Sequence, residues 1–430
     1  MNDLILISSF DLIKILQIMN YIISTTMIVL YVNQCLYILF SVFLKPKKYK
    51  NTENYHTYGY IICGKNESLV IGNLIDSIKK QDYPQDKIYI FVCADNCTDN
   101  TAQVARDAGA IVFERFDEKR KGKCYALDYT LNKIQNEYQE LNIEAYIIFD
   151  ADNLVSKQYT TEMNKAYDAG FKVATGFRDT KNFDKSWVSA GSSYMFYREC
   201  CQVHLVRSRF NTGTYVSGTG YLIDKSLVKD GWKYDTLTED IEFSADCACK
   251  GIKIGYVYDA LFYDEQPETL HDSMKQRLRW CKGNNQVFKR YGGKLFIGLF
   301  KKFSFHKWSM FTHTIPLPAL SLLWVVLHQI IGGIICATSG LPFHYYVSEV
   351  LIFAWYTFRS VLATGYIDAL VLSFQTWKRN DCKWYKKIFY SFMFPIFLAV
   401  YLPITVVALF KRKVTWKPIV HTESKTIDQI

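Results

Sequence analysis

The sequence predicts an α/β domain with an open, mainly parallel sheet, placed between membrane-spanning helices. From Tyr58 onward, short apolar runs alternate with stretches of helical spacing, which is typical of strand–helix units in a parallel sheet. By contrast, the first ~45 and the last ~120 residues hold apolar runs long enough to span a bilayer. We therefore expect a membrane protein with a soluble centre.

Composition and charge agree with this division. Hydrophobic residues make up 50% and aromatic residues 16% of the 430 positions, which is high for a wholly soluble protein. The formal net charge is +10, and basic residues cluster beside the apolar runs, as expected next to anionic headgroups. The central part has no basic stripe interleaved with aromatics, which argues against nucleic-acid binding. The 12 cysteines show no metal-ligand spacing and are expected to be reduced thiols.

Five segments are predicted from these patterns. They are an N-terminal transmembrane helix at 1–50, a cytoplasmic α/β domain at 51–292, an interfacial amphipathic helix at 293–310, C-terminal transmembrane helices at 311–412 and a tail at 413–430. Lysines after the first span place the α/β domain in the cytoplasm. Three later crossings would leave the basic residues near Lys411 outside, so the last apolar segment is expected to be split or re-entrant near Pro395 or Pro403.

Acidic residues stand where predicted strands end. The apolar run Ala145–Phe149 leads into Asp150 and Asp152, whose side chains point the same way if strand geometry continues. Glu67 and Asp95 follow the first two predicted strands. Because ligands of open α/β sheets bind beyond the carboxyl ends of the strands, we expect these four acids at one site. Mg²⁺ or Mn²⁺ with a diphosphate suits such hard ligands; a turn or helix cap is the alternative for Asp152.

Other segments carry polar groups that suit a ligand bearing phosphate. Lys123 opens a predicted helix and offers a counter-charge, with a solvated loop as the alternative. Gly218 and Thr219 lie in a strand-like run, where glycines indicate either a close approach of a ligand or a bulge. Glu239 and Asp240 open another helix, where capping by Thr238 and attraction of the acids to the helix dipole are the local alternative.

The last group lies on one predicted helix. Gln276 and Arg279 share a helix face, and Trp280 follows directly. An amide, a guanidinium and an indole together suit a phosphate and a flat, sugar-like surface. A stacked pair on the protein surface is the alternative.

The motifs in this order resemble the membrane-bound family 2 glycosyltransferases, which include hyaluronan, chitin, cellulose and poly-N-acetylglucosamine synthases. The resemblance rests on the strand-end acids, on FDAD at 149–152, on TED at 238–240 and on QRLRW at 276–280, and it covers roughly Tyr58 to Lys289. It implies a sheet of glycosyltransferase A type that binds a nucleotide sugar. Asp95 would contact the uracil of a UDP-sugar with Glu67 nearby, and Lys123 would lie by the nucleotide.

The resemblance also implies the remaining roles. Asp152 would hold Mg²⁺ or Mn²⁺ on the diphosphate, with Asp150 beside it. Asp240 would be the general base that deprotonates an acceptor hydroxyl, supported by Glu239. The QRLRW residues Gln276, Arg279 and Trp280 would bind the diphosphate and the acceptor sugar.

The expected enzyme is therefore a multi-pass protein of the plasma membrane. It would move N-acetylglucosamine or glucose, with inversion, from a UDP-sugar to a growing polysaccharide or oligosaccharide. Its expected partners are the UDP-sugar, a saccharide or lipid acceptor and membrane lipid, without nucleic acid. The alternatives are a single transfer to a membrane lipid, a nucleotidyltransferase, and a membrane transporter or receptor with a degenerate nucleotide-binding domain.

Overall fold

The computed structural model describes residues 9–338, 343–380, 382–412, 414 and 424–430. The start of the predicted N-terminal span (1–8) and most of the predicted tail (413 and 415–423) lie outside the described residues. Within these ranges, one long helix precedes the α/β domain and several follow it.

Within the described residues, eight strands form one sheet at the centre of the α/β domain. They are β1 (Tyr58–Gly64), β2 (Ile88–Asp95), β3 (Ile111–Arg115), β4 (Ala145–Asp150), β5 (Leu154–Val155), β6 (Val173–Thr180), β7 (Tyr221–Asp224) and β8 (Ile254–Asp264). Their order across the sheet is β3-β2-β1-β4-β7-β6-β8-β5. Strands β5 and β7 run against the direction of the others. The predicted mainly parallel sheet is therefore confirmed.

The α-helices surround this sheet and flank it along the chain. They are α1 (Ser9–Phe43), α2 (Ile71–Lys79), α3 (Thr101–Asp107), α4 (Lys123–Glu137), α5 (Tyr159–Asp168), α6 (Trp187–Arg198), α7 (Leu205–Arg209), α8 (Glu239–Lys250), α9 (Leu270–Lys301), α10 (Phe305–Thr314), α11 (Leu317–Thr338), α12 (Phe343–Thr376), α13 (Trp384–Ala399) and α14 (Tyr401–Phe410). A π-helical segment (Glu199–His204) joins α6 to α7.

The central strand β1 shows how the sheet is buried. Tyr60 and Ile62 join one core cluster with residues of α2 and α5, whereas Ile61 joins a second cluster with Leu127 and Leu131 of α4. This alternation follows from the two-residue period of a strand. Helices thus cover both faces of the sheet, as near-continuous apolar strands require.

The strand directions bring several polar strand ends to one edge of the sheet. β2 ends at Asp95, β4 at Asp150 and β8 at Asp264, and all three ends point the same way. Because β7 runs in the opposite direction, the residues before it, 217–220, also lie at this edge. Ligands of open α/β sheets bind at such an edge.

Three helical stretches of the described residues are long and apolar enough to cross a membrane: Gln17–Phe43, Leu317–Thr338 and Trp384–Phe410. The last of them is divided at Val400 into α13 and α14, so that Pro395 lies inside α13 and Pro403 inside α14. At its start, Lys386 Nζ lies 2.7 Å from Asp184 Oδ2, and at its end the Ala408 carbonyl accepts from Lys282 Nζ (3.3 Å). This stretch therefore contacts the α/β domain near both ends.

The single interfacial helix predicted at 293–310 is not formed. Instead, α9 continues to Lys301 and α10 starts at Phe305. The reason is packing: Val287 and Leu295 are both fully buried in one cluster with residues of α8 and α10, which carries α9 onward along the domain. The apolar face expected for the segment is still exposed, since Phe300 is 77% exposed.

Candidate active site

Asp95 and Arg115 form an ion pair between the neighbouring ends of β2 and β3. Arg115 Nη1 lies 2.5 Å from Asp95 Oδ1, and both side chains are buried. Asn96 Nδ2 also donates to this oxygen (2.9 Å). Burial strengthens the pair because the surrounding dielectric is low. Asp95 is thus held in one orientation at the sheet edge.

Glu67 lies beside the turn that follows β4. A Cβ on Gly64 would lie 3.2 Å from Glu67 Cγ and 3.4 Å from Ala151 Cβ, so only a glycine leaves room here without a shift. The Glu67 N–H donates to Thr101 Oγ1 (2.8 Å), which ties the loop after β1 to the start of α3. Glycine at this position therefore lets Glu67 approach the turn at 150–152.

Lys123, the first residue of α4, connects two parts of the sheet edge. Its Nζ forms an ion pair with Asp150 and donates to the Gly218 carbonyl (2.7 Å). Burial alone would lower the pKa of Lys123, but attraction to Asp150 and to Glu239 outweighs burial and raises this pKa. Lys123 therefore stays charged and is not part of a solvated loop.

Asp152 stands in the turn after β4, next to a buried polar network. Asn153 Nδ2 donates to Asp152 Oδ1 (3.2 Å) and to Asp264 Oδ1 (2.8 Å). Asp264 is paired in turn with Arg178, whose Nε lies 2.8 Å from Asp264 Oδ2. Asn153 and Asp264 are buried, whereas Asp152 is partly exposed. The hydrogen bond from Asn153 thus connects the carboxylate of Asp152 to a buried network.

Residues 217–220 form a tight turn rather than a continuation of β7. Gly218 and Gly220 have φ of +78° and +66°, a region that residues with a Cβ rarely adopt. Thr219 Oγ1 accepts from the Asp150 N–H (2.9 Å) and so ties the turn to the end of β4. The backbone itself therefore favours glycine at both positions, where the sequence leaves open a close approach or a bulge.

Glu239 and Asp240 open α8 beside this turn. A Cβ on Gly218 would lie 3.8 Å from Asp240 Oδ2, so the Gly218 backbone faces that carboxylate. Both acids are buried, with exposures of 8% and 9%. Burial, and then repulsion by Asp240, raises the pKa of Glu239 to about 7. Burial also raises the pKa of Asp240, while Lys123 and Arg279 act in the opposite direction.

Helix α9 approaches the start of α8 at Gly283. A Cβ on Gly283 would lie 2.5 Å from Thr238 Oγ1 and 2.8 Å from the Thr238 nitrogen. Arg279 and Trp280 lie one turn before Gly283, so this contact sets their distance from α8. The Thr238 side chain makes no capping hydrogen bond to α8, so the capping role considered from the sequence is wrong.

Trp280 contacts Phe196 of α6, and this contact leads back to the sheet edge. The two rings are 5.9 Å apart and meet edge to face. The Arg178 guanidinium lies 3.7 Å above the same Phe196 ring. Gln276 is partly exposed one turn before Trp280 on α9. The indole and the Asp264–Arg178 pair are therefore joined through one aromatic ring.

Arg277, within the same motif, makes a different contact. Its side chain is fully buried, and its Nη1 donates to the Phe397 carbonyl (2.9 Å) while the guanidinium lies 3.4 Å above the Phe397 ring. Burial lowers the pKa of Arg277 to about 10. Arg277 therefore fastens α9 to α13.

Comparisons with known proteins identify the family of this chain. Residues 56–283, more than half of the chain, match the family model described as Glycosyltransferase like family 2. The chain belongs to glycosyltransferase family 2. It is therefore a transferase enzyme, and the family predicted from the motifs is confirmed.

Two curated relatives of this glycosyltransferase match over similar lengths. The probable glycosyltransferase YdaM of Bacillus subtilis (strain 168) is 23% identical over 275 residues, which cover 58% of this chain and 60% of the relative. The poly-beta-1,6-N-acetyl-D-glucosamine synthase of Staphylococcus aureus (strain COL) is 27% identical over 256 residues, which cover 57% and 59%. The chain thus spans less than two thirds of the length of the curated relatives it matches.

A solved structure supports the fold. The mannosyltransferase PcManGT of Pyrobaculum calidifontis, in complex with GDP-Man and Mn²⁺, superimposes with a TM-score of 0.54. The match covers 90% of this chain and 97% of the mannosyltransferase, at 16% sequence identity. This likeness concerns the fold alone, and it confirms the predicted glycosyltransferase A-type sheet.

The residues of this family 2 glycosyltransferase suit a cation shared with a diphosphate. Among the described residues, no three His, Cys, Asp or Glu side chains gather into a metal site. Asp150 pairs with Lys123, and Asp152 follows it in a partly exposed position. Mg²⁺ commonly uses one or two carboxylates together with substrate phosphates rather than an all-protein cage. The donor set therefore fits the predicted Mg²⁺ or Mn²⁺.

Three residues near the proposed site of this glycosyltransferase are missed by the sequence analysis: Arg178, Glu199 and Asp264. Asp264 ends β8 as Asp150 ends β4, so the same strand-end pattern was available for it. Arg178 lies on β6 without a local signal. Glu199 lies in the π-helical segment, and the Ser217 hydroxyl donates to its Oε2 (3.0 Å).

Proposed function

We propose that this enzyme is an inverting glycosyltransferase of the membrane. It moves N-acetylglucosamine or glucose from a UDP-sugar to a growing polysaccharide or oligosaccharide. The relative named as a poly-beta-1,6-N-acetyl-D-glucosamine synthase supports this class of product. The cleft supports the type of reaction, because a buried carboxylate stands next to a cationic group that suits a diphosphate.

One observation carries the proposal: Gly218 has the proposed base on one side and the Lys123–Asp150 pair on the other. Lys123 Nζ donates to the Gly218 carbonyl (2.7 Å), and a Cβ on Gly218 would lie 3.8 Å from Asp240 Oδ2. We propose that a donor sugar bound beside Lys123 presents its anomeric carbon toward Asp240. An acceptor hydroxyl is a poor nucleophile and needs a positioned carboxylate to take its proton.

The proposed reaction is one displacement. The acceptor oxygen forms the bond to the anomeric carbon, the bond from that carbon to the UDP oxygen breaks, and the acceptor proton passes to Asp240. Because this route uses one carboxylate base and no covalent sugar–enzyme bond, it inverts the anomeric configuration. A product with the donor's configuration would contradict it.

The donor is proposed to bind along the strand ends. Asp95 and Glu67 contact the uracil side, and Lys123 lies by the nucleotide. Asp152 holds Mg²⁺ or Mn²⁺ on the diphosphate, with Asp150 beside it. When bound, the cation stabilises the negative charge that develops on the leaving diphosphate.

The acceptor is proposed to bind on the side of α8 and α9. Trp280 offers an apolar ring face to the acceptor sugar, and Gln276 offers a hydrogen-bonding amide. Arg279 stabilises charge on the diphosphate as UDP leaves. Glu239 supports Asp240, and the turn at Gly218 and Thr219 lets the substrates approach the backbone.

We place the α/β domain on the cytoplasmic side of a multi-pass protein in the plasma membrane. The end of the chain contacts that domain: Asn73 Nδ2 donates to the Ser424 carbonyl (3.0 Å), and Asp428 pairs with Lys80. Both lie on α2 or next to it, so the chain end is on the same side as the domain. Crossings by the two candidate spans that follow the domain, Leu317–Thr338 and Trp384–Phe410, satisfy this.

The proposal is tested by UDP release from purified, detergent-solubilised protein. A panel of UDP-sugars is supplied with Mg²⁺, Mn²⁺ or EDTA. We expect metal-dependent release with one sugar, lost in Asp240→Asn. Asp246→Asn is the matched control, because Asp246 lies on the same helix and its carboxylate instead accepts from the Tyr234 hydroxyl (2.8 Å).

Two outcomes would change the proposal. A product carrying a single sugar on a membrane lipid would replace the polymer with single-transfer glycosylation, so product size is measured alongside UDP release. No release with any sugar, from folded protein supplied with lipid and oligosaccharide acceptors, would contradict catalysis by UDP-sugar transfer and favour a binding or transport role.

A further inference from the structure

Glu199 is a carboxylate close to the proposed base that the reaction described above does not use. It is the first residue of the π-helical segment Glu199–His204. Such segments are rare and occur frequently at functional sites. The segment and the residue before it are tied to α12, since Arg198 Nε and Gln202 Nε2 both donate to Asp368 of that helix, at 2.8 and 2.7 Å.

The side chain of Glu199 holds the turn next to Asp240. Its Oε2 accepts from the Ser217 hydroxyl (3.0 Å), and the Ser217 carbonyl accepts from Arg178 Nη1 (3.1 Å). Ser217 is therefore fixed through both its side chain and its main chain. The next residue is Gly218, whose backbone faces Asp240. A displacement of Ser217 would move that backbone relative to the base.

Glu199 is linked to the Trp280 side of the site through neighbouring side chains. Its side chain is partly exposed although charged and polar groups surround it. Arg178 stacks on Phe196, whose ring contacts Trp280, and this connects Glu199 to the proposed acceptor side. The titratable and charged groups that face Glu199 are Arg178 of β6, Tyr215 before the turn, Asp240 of α8, the adjacent Cys200 and Tyr401 of α14.

We propose that Glu199 is a positioning residue of the transfer reaction: it anchors Ser217 and so keeps Gly218 and Asp240 at the separation at which an acceptor hydroxyl is deprotonated. This inference rests on the proposed function. Asp240 takes the proton, and Glu199 acts through Ser217.

The test is a comparison of steady-state constants for acceptor and donor. Glu199→Ala removes a hydrogen bond to a charged group, so we expect the KM for the acceptor to rise about 10- to 100-fold with a lower kcat. The KM for the UDP-sugar should stay unchanged. The fraction of UDP released by hydrolysis should rise, because water does not need the acceptor site. Ser217→Ala should likewise raise the KM for the acceptor, lower kcat and raise the fraction of UDP released by hydrolysis.

Glu199→Gln separates position from charge. Its amide oxygen still accepts from Ser217, so the acceptor KM should stay near the value of the unmodified enzyme. The acid limb of the rate–pH profile should also stay in place, because the hydrogen bond to Ser217 is kept. The matched control is Glu162→Ala, which removes a half-buried glutamate of α5 that pairs with Lys165 (2.6 Å).

Thermal unfolding in detergent reports whether each variant is folded. If Glu199→Ala is not folded, Ser217→Ala is used for the test instead. An unchanged acceptor KM and an unchanged ratio of transfer to hydrolysis would overturn the proposal, as would an equal rise of the UDP-sugar KM. If the unmodified enzyme releases no UDP from any sugar, the proposed function fails and this inference with it. If the unmodified enzyme is active and Glu199→Ala has the same acceptor KM and the same ratio of transfer to hydrolysis, the role of Glu199 is rejected and the proposed function stands.

Discussion

The two halves of the cleft are built in different ways. The strand half consists of polar residues at the ends of neighbouring strands and at the start of the next helix: Asp95, Lys123, Asp150 and Asp152. The helix half comes from α8 and α9, and consists of Glu239, Asp240, Arg279 and Trp280. The first is set by the hydrogen-bond register of the sheet, and the second by how two helices pack.

This difference separates two kinds of sensitivity. The register of β1 places Cys63 opposite Cys93 of β2 and Asp150 of β4, and a whole ladder of backbone hydrogen bonds maintains it. The helix half depends on how separate segments pack, above all on the close approach of Gly283 to Thr238. We therefore expect substitutions in the strand half to change donor binding, and substitutions in the helix half to change the transfer step.

The largest expected effect comes from one carboxylate of each half. Asp152→Ala should lower kcat/KM for the donor about 10³-fold, because the cation and the diphosphate lose their protein ligand. Asp240→Asn should lower kcat about 10²- to 10⁴-fold with unchanged donor binding, because only the base is lost. Steady-state UDP release and calorimetric titration with UDP measure the two quantities. Equal loss of UDP binding in both variants would show that the halves are not separate.

A smaller effect is expected from the turn between the halves. Gly218→Ala puts a Cβ on a backbone with φ of +78°, a strained conformation, although this Cβ would lie at an ordinary contact distance of 3.8 Å from Asp240 Oδ2. Relaxation of this strain should move the turn relative to the base. A displacement near 1 Å at such a place costs about 100-fold in rate. Gly251→Ala is the control, since Gly251 has φ of +75° at the end of α8 and no atom within 4 Å of its Cβ position. Comparable rate losses in the two variants would assign the effect to backbone strain alone.

The strand half could be predicted from the sequence because each residue in it has a local signal. Asp150 and Asp152 follow a buried apolar run, Asp95 follows another, and Lys123 opens a helix. The rule that parallel strands end at one edge then collects them. The same rule applies to Asp264, which ends β8, and applying it to every strand would have found this residue.

The rest could not be predicted because it depends on contacts between distant segments. The Arg178–Asp264 pair joins β6 to β8, and Arg277 reaches the carbonyl of Phe397 on α13. Helical spacing identifies an apolar face but not its partner. The helix expected at 293–310 is an example. The structure divides this segment between α9 and α10, because buried residues of both helices pack on α8.

The packing of α9 on α8 gives a third, more moderate effect. Gly283→Ala places a Cβ 2.5 Å from Thr238 Oγ1 and 2.8 Å from the Thr238 nitrogen, so the two helices must separate. Overpacking of this kind costs about 1–3 kcal/mol of folding stability. Arg279 and Trp280 move with α9, and we expect about a tenfold loss of kcat.

Gly293→Ala is the matched control on the same helix, because no atom lies within 4 Å of its Cβ position. Alanine favours the helix over glycine by about 1 kcal/mol, so this variant should unfold at the same or a higher temperature and keep its activity. A loss of kcat in Gly293→Ala as large as in Gly283→Ala would mean that the spacing between α8 and α9 does not set the rate.

The smallest expected effect is electrostatic: Lys123 of the strand half acts on the pKa of Asp240 in the helix half. Asp240 must be deprotonated to accept a proton, so the rate rises with pH through its pKa. Burial raises that pKa, and Lys123 lowers it. Lys123→Met should therefore raise it further and move the acid limb to higher pH, measured at saturating UDP-sugar. Lys133→Met, which removes an exposed lysine of the same helix paired with Glu137 (2.5 Å), should leave the limb in place. A move to lower pH would mean that the strand half does not act on the base.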